Sequence, residues 1–232
     1  MRAFLFDLDD TLYLRKDPYI RAFRALYAGA TIDEDALYAR SRRVGEEEFK
    51  RCLAGECTKE EMEIQRALRT FTESSLAADR ETAERFQALY ASEQEKIRIL
   101  SPLERALKVL CARGVFLGVL TNGSTGHQMK KAEALGLFRY IPRGRILTSG
   151  EIGTAKPDPA AWQIYLERHG LAAADTWMIG DSLEADVEGA KTAGLHTVWI
   201  PRYGEQAAEG AAEVTVYSDG ELARLLTEEL TF

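Results

Sequence analysis

Cysteine and histidine are scarce in this 232-residue chain, and neither is arranged as a ligand set. The three cysteines, Cys52, Cys57 and Cys111, have no Cys-x-x-Cys spacing, and the three histidines are scattered at positions 127, 169 and 196. This pattern argues against a disulfide scaffold and against structural zinc. Since the chain is 46% hydrophobic, it can bury a full core in one or two domains without such cross-links.

The sequence also lacks a long apolar run near its beginning and an excess of positive charge. Its first apolar stretch is interrupted by Asp7 and Asp9 and has no small-residue cleavage site, which argues against a signal peptide or a transmembrane helix. We therefore expect no membrane partner and a cytoplasmic location. Lys plus Arg total 30 against 37 for Asp plus Glu, a net charge of −7, which disfavours a nucleic-acid polymer as partner. A small-molecule partner is expected instead.

Short β-rich apolar runs alternate with helical patterns over residues 1–14 and 98–232. This alternation predicts one α/β domain with a parallel sheet. Ser101, Pro102 and Glu104 predict an N-cap, a first helical residue and a capping glutamate. The predicted strands are 3–6, 115–120, 146–148, 177–179, 197–200 and 214–216.

Residues 15–97 contain almost no β-rich run and are predicted to form successive amphipathic helices. Thr58 and Glu61 form a capping-box pattern at the start of one of them, and a final helix is expected near 81–95. No repeat, low-complexity tract or proline-rich linker interrupts this part. We expect an all-helical cap domain inserted into the first domain and packed on it as a lid.

The most informative motif is Asp7-x-Asp9-x-Thr11, which directly follows the apolar residues 3–6. Two carboxylates at the end of a buried strand are costly to hold ionised side by side unless a cation or a reacting group shares the site. The motif therefore indicates chemistry at this edge of the sheet. An acidic turn is the alternative.

Two later segments carry groups suited to binding phosphate. Thr121, Asn122 and Gly123 end the second predicted strand, where a hydroxyl and backbone N–H groups can surround an anion. A helix N-cap followed by a turn is the alternative. Lys156 lies in Ala-Lys-Pro-Asp-Pro, where two prolines stiffen the loop and can aim the ammonium. A solvated surface lysine is the alternative.

The segment 179–186 places Asp181 and Asp186 after another predicted strand, with Gly180 at its end. Hard oxygen ligands on a short loop suit Mg²⁺, which commonly uses one or two carboxylates together with water and substrate phosphate. The alternative is that Asp181 caps the next helix and Asp186 complements its dipole.

These four motifs occur in one order, each beside a predicted strand, and together they resemble the haloacid dehalogenase superfamily of phosphohydrolases. The resemblance extends over essentially the whole chain and is to the branch with a helical cap after the first motif (C1, subfamily IA-like). It implies a Rossmann-like, doubly wound parallel sheet. In this family the cap governs substrate choice.

On the family pattern, Asp7 is the nucleophile that forms an aspartyl-phosphate, and Asp9 is the general acid and then the base. Mg²⁺ is implied as cofactor, bound by the side chains of Asp7 and Asp181 and by the Asp9 carbonyl. Asp186 is implied to act through water or to orient the ligands. These roles follow from the resemblance and not from the spacing of the residues.

The same pattern implies that Thr121, the Asn122 backbone and Lys156 hold the phosphate, with Thr121 and Lys156 counted as catalytic. The expected activity is that of a Mg²⁺-dependent phosphatase of small phosphorylated metabolites, such as a nucleoside monophosphate or a sugar phosphate. Asp9 disfavours dehalogenation of carbon, because a halide needs no acid. A phosphomutase and a non-catalytic phosphate-binding regulator are the alternatives, and a monomer or homodimer is expected.

The helical segment carries many cations that could meet an anionic substrate. Because the same helices contain Glu46, Glu47 and Glu48, we expect a solvated charged face for most of them. The cations are Arg15, Lys16, Arg21, Arg40, Arg42, Arg43 and Arg51.

Overall fold

The computed structural model describes residues 2–206 and 210–230. The chain divides into two compact units. One comprises the residues up to Leu14 together with those from Arg98 onward, and the other comprises Arg15–Ile97. No helix among the described residues is long and apolar enough to cross a membrane.

The first unit is built on a six-stranded sheet in the order β3-β2-β1-β4-β5-β6, with every pairing parallel. This is the doubly wound order, and it confirms the predicted fold class. The central strand β1 is flanked by β2 and β4, so that Phe6 lies opposite Val119 and Ile179. The strands are β1 (Ala3–Phe6), β2 (Phe116–Thr121), β3 (Ile146–Thr148), β4 (Thr176–Gly180), β5 (His196–Trp199) and β6 (Val214–Thr215).

Strands β1 to β4 are buried along their whole length, as expected of a parallel sheet covered on both faces. Gly118 in β2 permits a close approach, since a Cβ there would lie 1.9 Å from the Tyr165 hydroxyl. Tyr165 and Trp162 are fully buried in the core beneath the sheet. The helices of this unit are α5 (Ser101–Ala112), α6 (Thr125–Ala134), α7 (Ser149–Ile152), α8 (Ala160–His169), α9 (Gly189–Thr192), preceded by π-helical turns at Leu183–Glu188, and α10 (Asp219–Arg224).

One predicted helix start is wrong. Helix α5 begins at Ser101 itself, and the capping position is Leu100, whose side chain makes no capping hydrogen bond. Pro102 still lies in the first turn, where its missing N–H costs nothing.

The second unit consists of four helices around an aromatic core. Its helices are α1 (Lys16–Leu26), α2 (Glu34–Leu53), α3 (Lys59–Glu73) and α4 (Arg80–Gln94). The Thr58 hydroxyl accepts a hydrogen bond from the Glu61 N–H at 3.2 Å, which confirms that capping prediction. Edge-to-face contacts join Phe86 to both Tyr19 and Phe71, at centroid distances of 5.0 Å.

Many cations of the helical unit are paired on its surface, as the charge pattern predicts. Arg43 pairs with Glu47 and Glu73, Arg21 pairs with Glu93, and Lys16 pairs with Asp35. Glu48 differs because it is fully buried and accepts from Arg69 at 2.6 Å and from Arg51 at 2.9 Å. This buried carboxylate links α2 to α3.

Candidate active site

The acidic and phosphate-binding motifs meet at the carboxyl edge of the sheet, where β1 has a neighbour on each side. Asp7 follows β1 directly, and its N–H donates to the Ile179 carbonyl of β4 at 2.9 Å. Thr121 is the last residue of β2, and Asp181 follows the end of β4. Parallel strands align their carboxyl ends, so residues distant in sequence converge here.

A buried lysine joins the first and last motifs. The Lys156 ammonium donates to Asp7 Oδ1 at 2.6 Å and to Asp186 Oδ1 at 2.5 Å. All three residues are buried, so the alternative of a solvated loop lysine is wrong. Asp186 is likewise not a surface residue that complements a helix dipole.

The Asn122 side chain holds the loop that carries this lysine. Its amide donates to the Lys156 carbonyl at 2.8 Å, and its Oδ1 accepts from the Lys156 N–H at 2.9 Å. Sequence reasoning assigned a role only to the backbone of Asn122, so this paired contact across 34 residues was missed.

Asp7, Asp181 and Asp186 bring carboxylate oxygens within 4.8 Å of one another. Gly180 makes this cluster possible, because a Cβ there would lie 2.2 Å from Asp186 Oδ2. The same oxygen accepts from the Ser182 N–H at 3.1 Å. Ser182, not Asp181, caps the following turn by accepting from Ala185, so the capping alternative for Asp181 is wrong.

The cluster is electrostatically strained. Burial raises the pKa of Asp7 to about 7, with Lys156 acting in the opposite direction and Asp186 and Asp9 adding repulsion. Burial, reinforced by Asp7 and Asp186, raises the pKa of Asp181 to about 8. Burial opposes the charge on Lys156, but the two carboxylates outweigh it and raise the lysine pKa. A second cation among these oxygens would relieve the repulsion.

The donor set fits a hard divalent cation. Three carboxylates converge without a histidine or a cysteine among them, which is the ligand chemistry of Mg²⁺. The cluster contains Asp7 and Asp181 from the predicted ligand set and adds Asp186. The predicted ligation by the Asp9 carbonyl stays a prediction.

The Asp9 carboxylate lies in a second group of contacts. Lys131 Nζ lies 2.7 Å from both of its oxygens, and the Tyr13 hydroxyl donates to Oδ1 at 2.5 Å. Gln128 Nε2 lies 3.4 Å from Asp9 Oδ2 and donates to Thr121 Oγ1 at 2.8 Å. Neither Gln128 nor Lys131 was predicted as a site residue. The signal was their i,i+3 spacing on the helix that follows Thr-Asn-Gly.

The loop between Asp9 and Thr11 is held by contacts with residues 202 and 203, which follow β5. Asp10 has a positive φ of 58° and is buried. Its carboxylate accepts from the Tyr203 hydroxyl at 2.6 Å, and its carbonyl accepts from Arg202 at 2.8 Å. Arg202 and Tyr203 therefore hold this turn in place.

The Thr121 segment is not a helix cap. Thr121 is buried at the strand end, and the capping position of α6 is Ser124. The Gly123 N–H donates to the Ser149 hydroxyl at 2.9 Å, so this donor is engaged within the protein.

The helical unit contains a cavity of its own, with a volume of about 310 Å³. Arg15, Arg42 and Arg66 line it together with Glu46, Tyr38 and Tyr90. Arg66 Nε is buried without a hydrogen-bond partner among the described residues. The lining therefore carries more positive than negative groups.

Comparison with known proteins adds a family-level result. The family model for haloacid dehalogenase-like hydrolases matches residues 1–194. A ribulose-1,5-bisphosphate 5-phosphatase of Halopiger xanaduensis is 32% identical over 222 residues, which cover 91% of this chain and 89% of the relative. A phosphoserine phosphatase of Thermus thermophilus is 33% identical over 122 residues, 53% of this chain and 48% of the relative.

A solved structure of similar fold is the HAD-hydrolase YfnB from Bacillus subtilis, bound to magnesium. The TM-score is 0.71 at 23% identity, with 97% of this chain and 98% of that chain covered. At this identity the likeness concerns the fold alone.

Proposed function

The chain belongs to the haloacid dehalogenase-like hydrolase family, and we propose that it is a Mg²⁺-dependent phosphatase that hydrolyses small phosphorylated metabolites through an aspartyl-phosphate. The observation that carries this proposal is the Asp7 carboxylate, hydrogen-bonded to a buried Lys156 and close to Asp181 and Asp186. A carboxylate in such a setting can attack phosphorus while the surrounding cations take up the charge of the phosphoryl oxygens.

The relatives support the reaction class and leave the substrate open. Two of them are named as phosphatases, one acting on ribulose 1,5-bisphosphate and one on phosphoserine. Their substrates share a phosphate monoester and little else. The shared chemistry supports a phosphoric monoester hydrolase.

In the proposed first step, an Asp7 oxygen attacks phosphorus and the bond to the leaving oxygen breaks. Asp9 gives its proton to that oxygen, so a neutral alcohol departs. In the second step, Asp9 takes a proton from water, whose oxygen attacks the aspartyl-phosphate. Inorganic phosphate leaves, and the Asp7 carboxylate is restored.

The remaining site residues bind the phosphoryl group. Thr121 and the Asn122 backbone are proposed to donate to its oxygens, and the Lys156 ammonium to bridge it to Asp7. Mg²⁺, when bound by Asp7 and Asp181 with Asp186 beside them, would neutralise charge on the phosphoryl oxygens and in the cluster.

Residues 15–97 are proposed to be the cap domain that selects the substrate. The arginines lining its cavity favour a substrate with a second negative group, and the tyrosines can contact a sugar or a base. A sugar phosphate or a nucleoside monophosphate meets these requirements.

The decisive experiment measures hydrolysis of p-nitrophenyl phosphate with Mg²⁺ and with a chelator. The wild-type protein should be active only with the metal, and Asp7→Asn should abolish turnover. Glu133→Gln removes the same charge from an exposed position of α6 and should leave activity unchanged. A rapidly quenched reaction should show the chain heavier by one phosphoryl group.

Full activity of a well-folded Asp7→Asn protein would refute the proposed nucleophile. Activity that survives chelation would refute the metal requirement. A substrate panel of sugar phosphates and nucleoside monophosphates then identifies the metabolite.

A further inference from the structure

We propose that Lys131, assisted by Gln128, is a positioning residue that holds the Asp9 carboxylate in line for proton transfer to the leaving oxygen. This inference rests on the proposed function, because it assigns Asp9 the acid role in phosphate ester cleavage.

The contact itself is unusually specific. Lys131 Nζ lies 2.7 Å from both Asp9 oxygens, and only 7% of the lysine side chain is exposed, against 21% for Asp9. A lysine is rarely buried unless it is paired, since its ammonium loses hydration. Here one ammonium contacts both oxygens of one carboxylate.

Other groups restrict the same carboxylate. The Tyr13 hydroxyl donates to Oδ1, so this oxygen accepts hydrogen bonds from both a phenol and an ammonium. Gln128 Nε2 donates to Thr121 Oγ1 and to the Asn122 carbonyl, and it lies 3.4 Å from Asp9 Oδ2. Helix α6 thus ties the strand end that carries Thr121 to the loop that carries Asp9.

The backbone leaves room for this arrangement. Gly123 has a φ of 132°, and a Cβ there would lie 3.2 Å from Gln128 Cγ. Residues 128 and 131 are three positions apart, and this spacing places them on the same face of α6. Lys130, adjacent in sequence, is exposed, so burial of Lys131 reflects its place on this face and not a general basic patch.

Positioning has a chemical signature that simple structural support lacks. An alkoxide is a poor leaving group and needs its proton at the transition state, whereas nitrophenolate departs with little assistance. A misplaced Asp9 should therefore slow the first step much more for an alkyl phosphate than for an aryl phosphate. The second step, in which Asp9 acts as base, is the same for both esters and does not enter kcat/KM. Loss of fold or of phosphate binding would slow both alike.

The test compares Lys131→Met with the wild-type protein on glycerol phosphate and on p-nitrophenyl phosphate. We expect kcat/KM, which covers only the steps up to departure of the alcohol, to fall about 10²-fold on the alkyl ester and less than about fivefold on the aryl ester. Lys131→Arg, which keeps the charge, should recover part of the alkyl activity. Lys130→Met makes the same change at the exposed neighbour and should match the wild type.

Equal losses of kcat/KM on both esters, or a loss on the alkyl ester that comes from KM alone, would overturn the positioning role. If Lys131→Met fails to fold, Lys131→Gln is measured in its place, with melting temperatures recorded for each variant. A wild-type protein inactive on both esters would instead refute the proposed function, and this inference would fall with it.

Discussion

Gly180→Ala tests whether the carboxylate cluster depends on the close approach at the end of β4. An added Cβ would lie 2.2 Å from Asp186 Oδ2 and 2.3 Å from Asp186 Cγ. Ordinary van der Waals contact begins at about 3.4 Å, so the Asp186 carboxylate must move away by more than about 1 Å. Asp186 is not a flexible side-chain end, because Lys156 and the Ser182 N–H hold it.

The expected loss of stability combines two effects. Overpacking of a tight core costs about 1–3 kcal/mol. Displacing Asp186 from Lys156 adds part of the roughly 3–5 kcal/mol associated with a broken buried ion pair. We expect the free energy of unfolding to fall by about 2–4 kcal/mol, and turnover to fall as Lys156 loses its second partner.

Urea unfolding of the metal-free protein measures this change, with phosphatase assays in parallel. Gly220→Ala is the matched control, since its Cβ would meet only the Ser218 hydroxyl, at 3.9 Å, within α10. That substitution should be neutral or stabilise by up to about 1 kcal/mol. A Gly180→Ala protein within about 0.5 kcal/mol of the wild type would show that the cluster tolerates a side chain there, against the packing argument.

Three further outcomes are expected. The pKa values of Asp7 and Asp181 are raised to about 7 and about 8, so the metal-free fold keeps protons that the unfolded chain releases near pH 4. The stability that this cluster contributes therefore falls as the pH rises from about 4 to about 8. Mg²⁺ should raise the melting temperature more at pH 8 than at pH 5, and equal shifts would contradict this. Asn122→Ala should lower kcat by about tenfold or more, because the loop bearing Lys156 loses both side-chain hydrogen bonds, and steady-state kinetics with unchanged turnover would argue against this clamp. Glu48→Ala should destabilise the protein by about 2 kcal/mol in urea unfolding without changing kcat, since Arg69 and Arg51 lose their buried partner and keep only more exposed carboxylates.

Local signals were enough to predict most of the elements and the four motifs. The apolar run before Asp7 predicted β1, and the capping pattern at Thr58 predicted the start of α3, because both depend on residues adjacent in sequence. Family membership and the parallel α/β fold are confirmed. The roles of the individual site residues stay predictions, although the structure brings Asp7, Lys156 and Asp181 to one edge of the sheet.

Two residues that the sequence did not predict, Lys131 and Tyr203, have partners far away in the chain. Lys131 contacts a carboxylate 122 positions earlier, and Tyr203 contacts one 193 positions earlier. Neither residue differs in sequence from an ordinary surface lysine or tyrosine. Periodicity identifies a helix face, but it does not show which loop that face will meet.

The sequence by itself determined which segments form strands and helices and which polar residues follow the strand ends, because these follow from residue type and short-range spacing. Tertiary structure alone decided how those groups are paired. Strand order placed β1 between β2 and β4, and this order brought the four separate motifs to one edge of the sheet. Burial then raised the pKa values of Asp7 and Asp181, because the cost of a charge depends on the surroundings that the whole fold supplies.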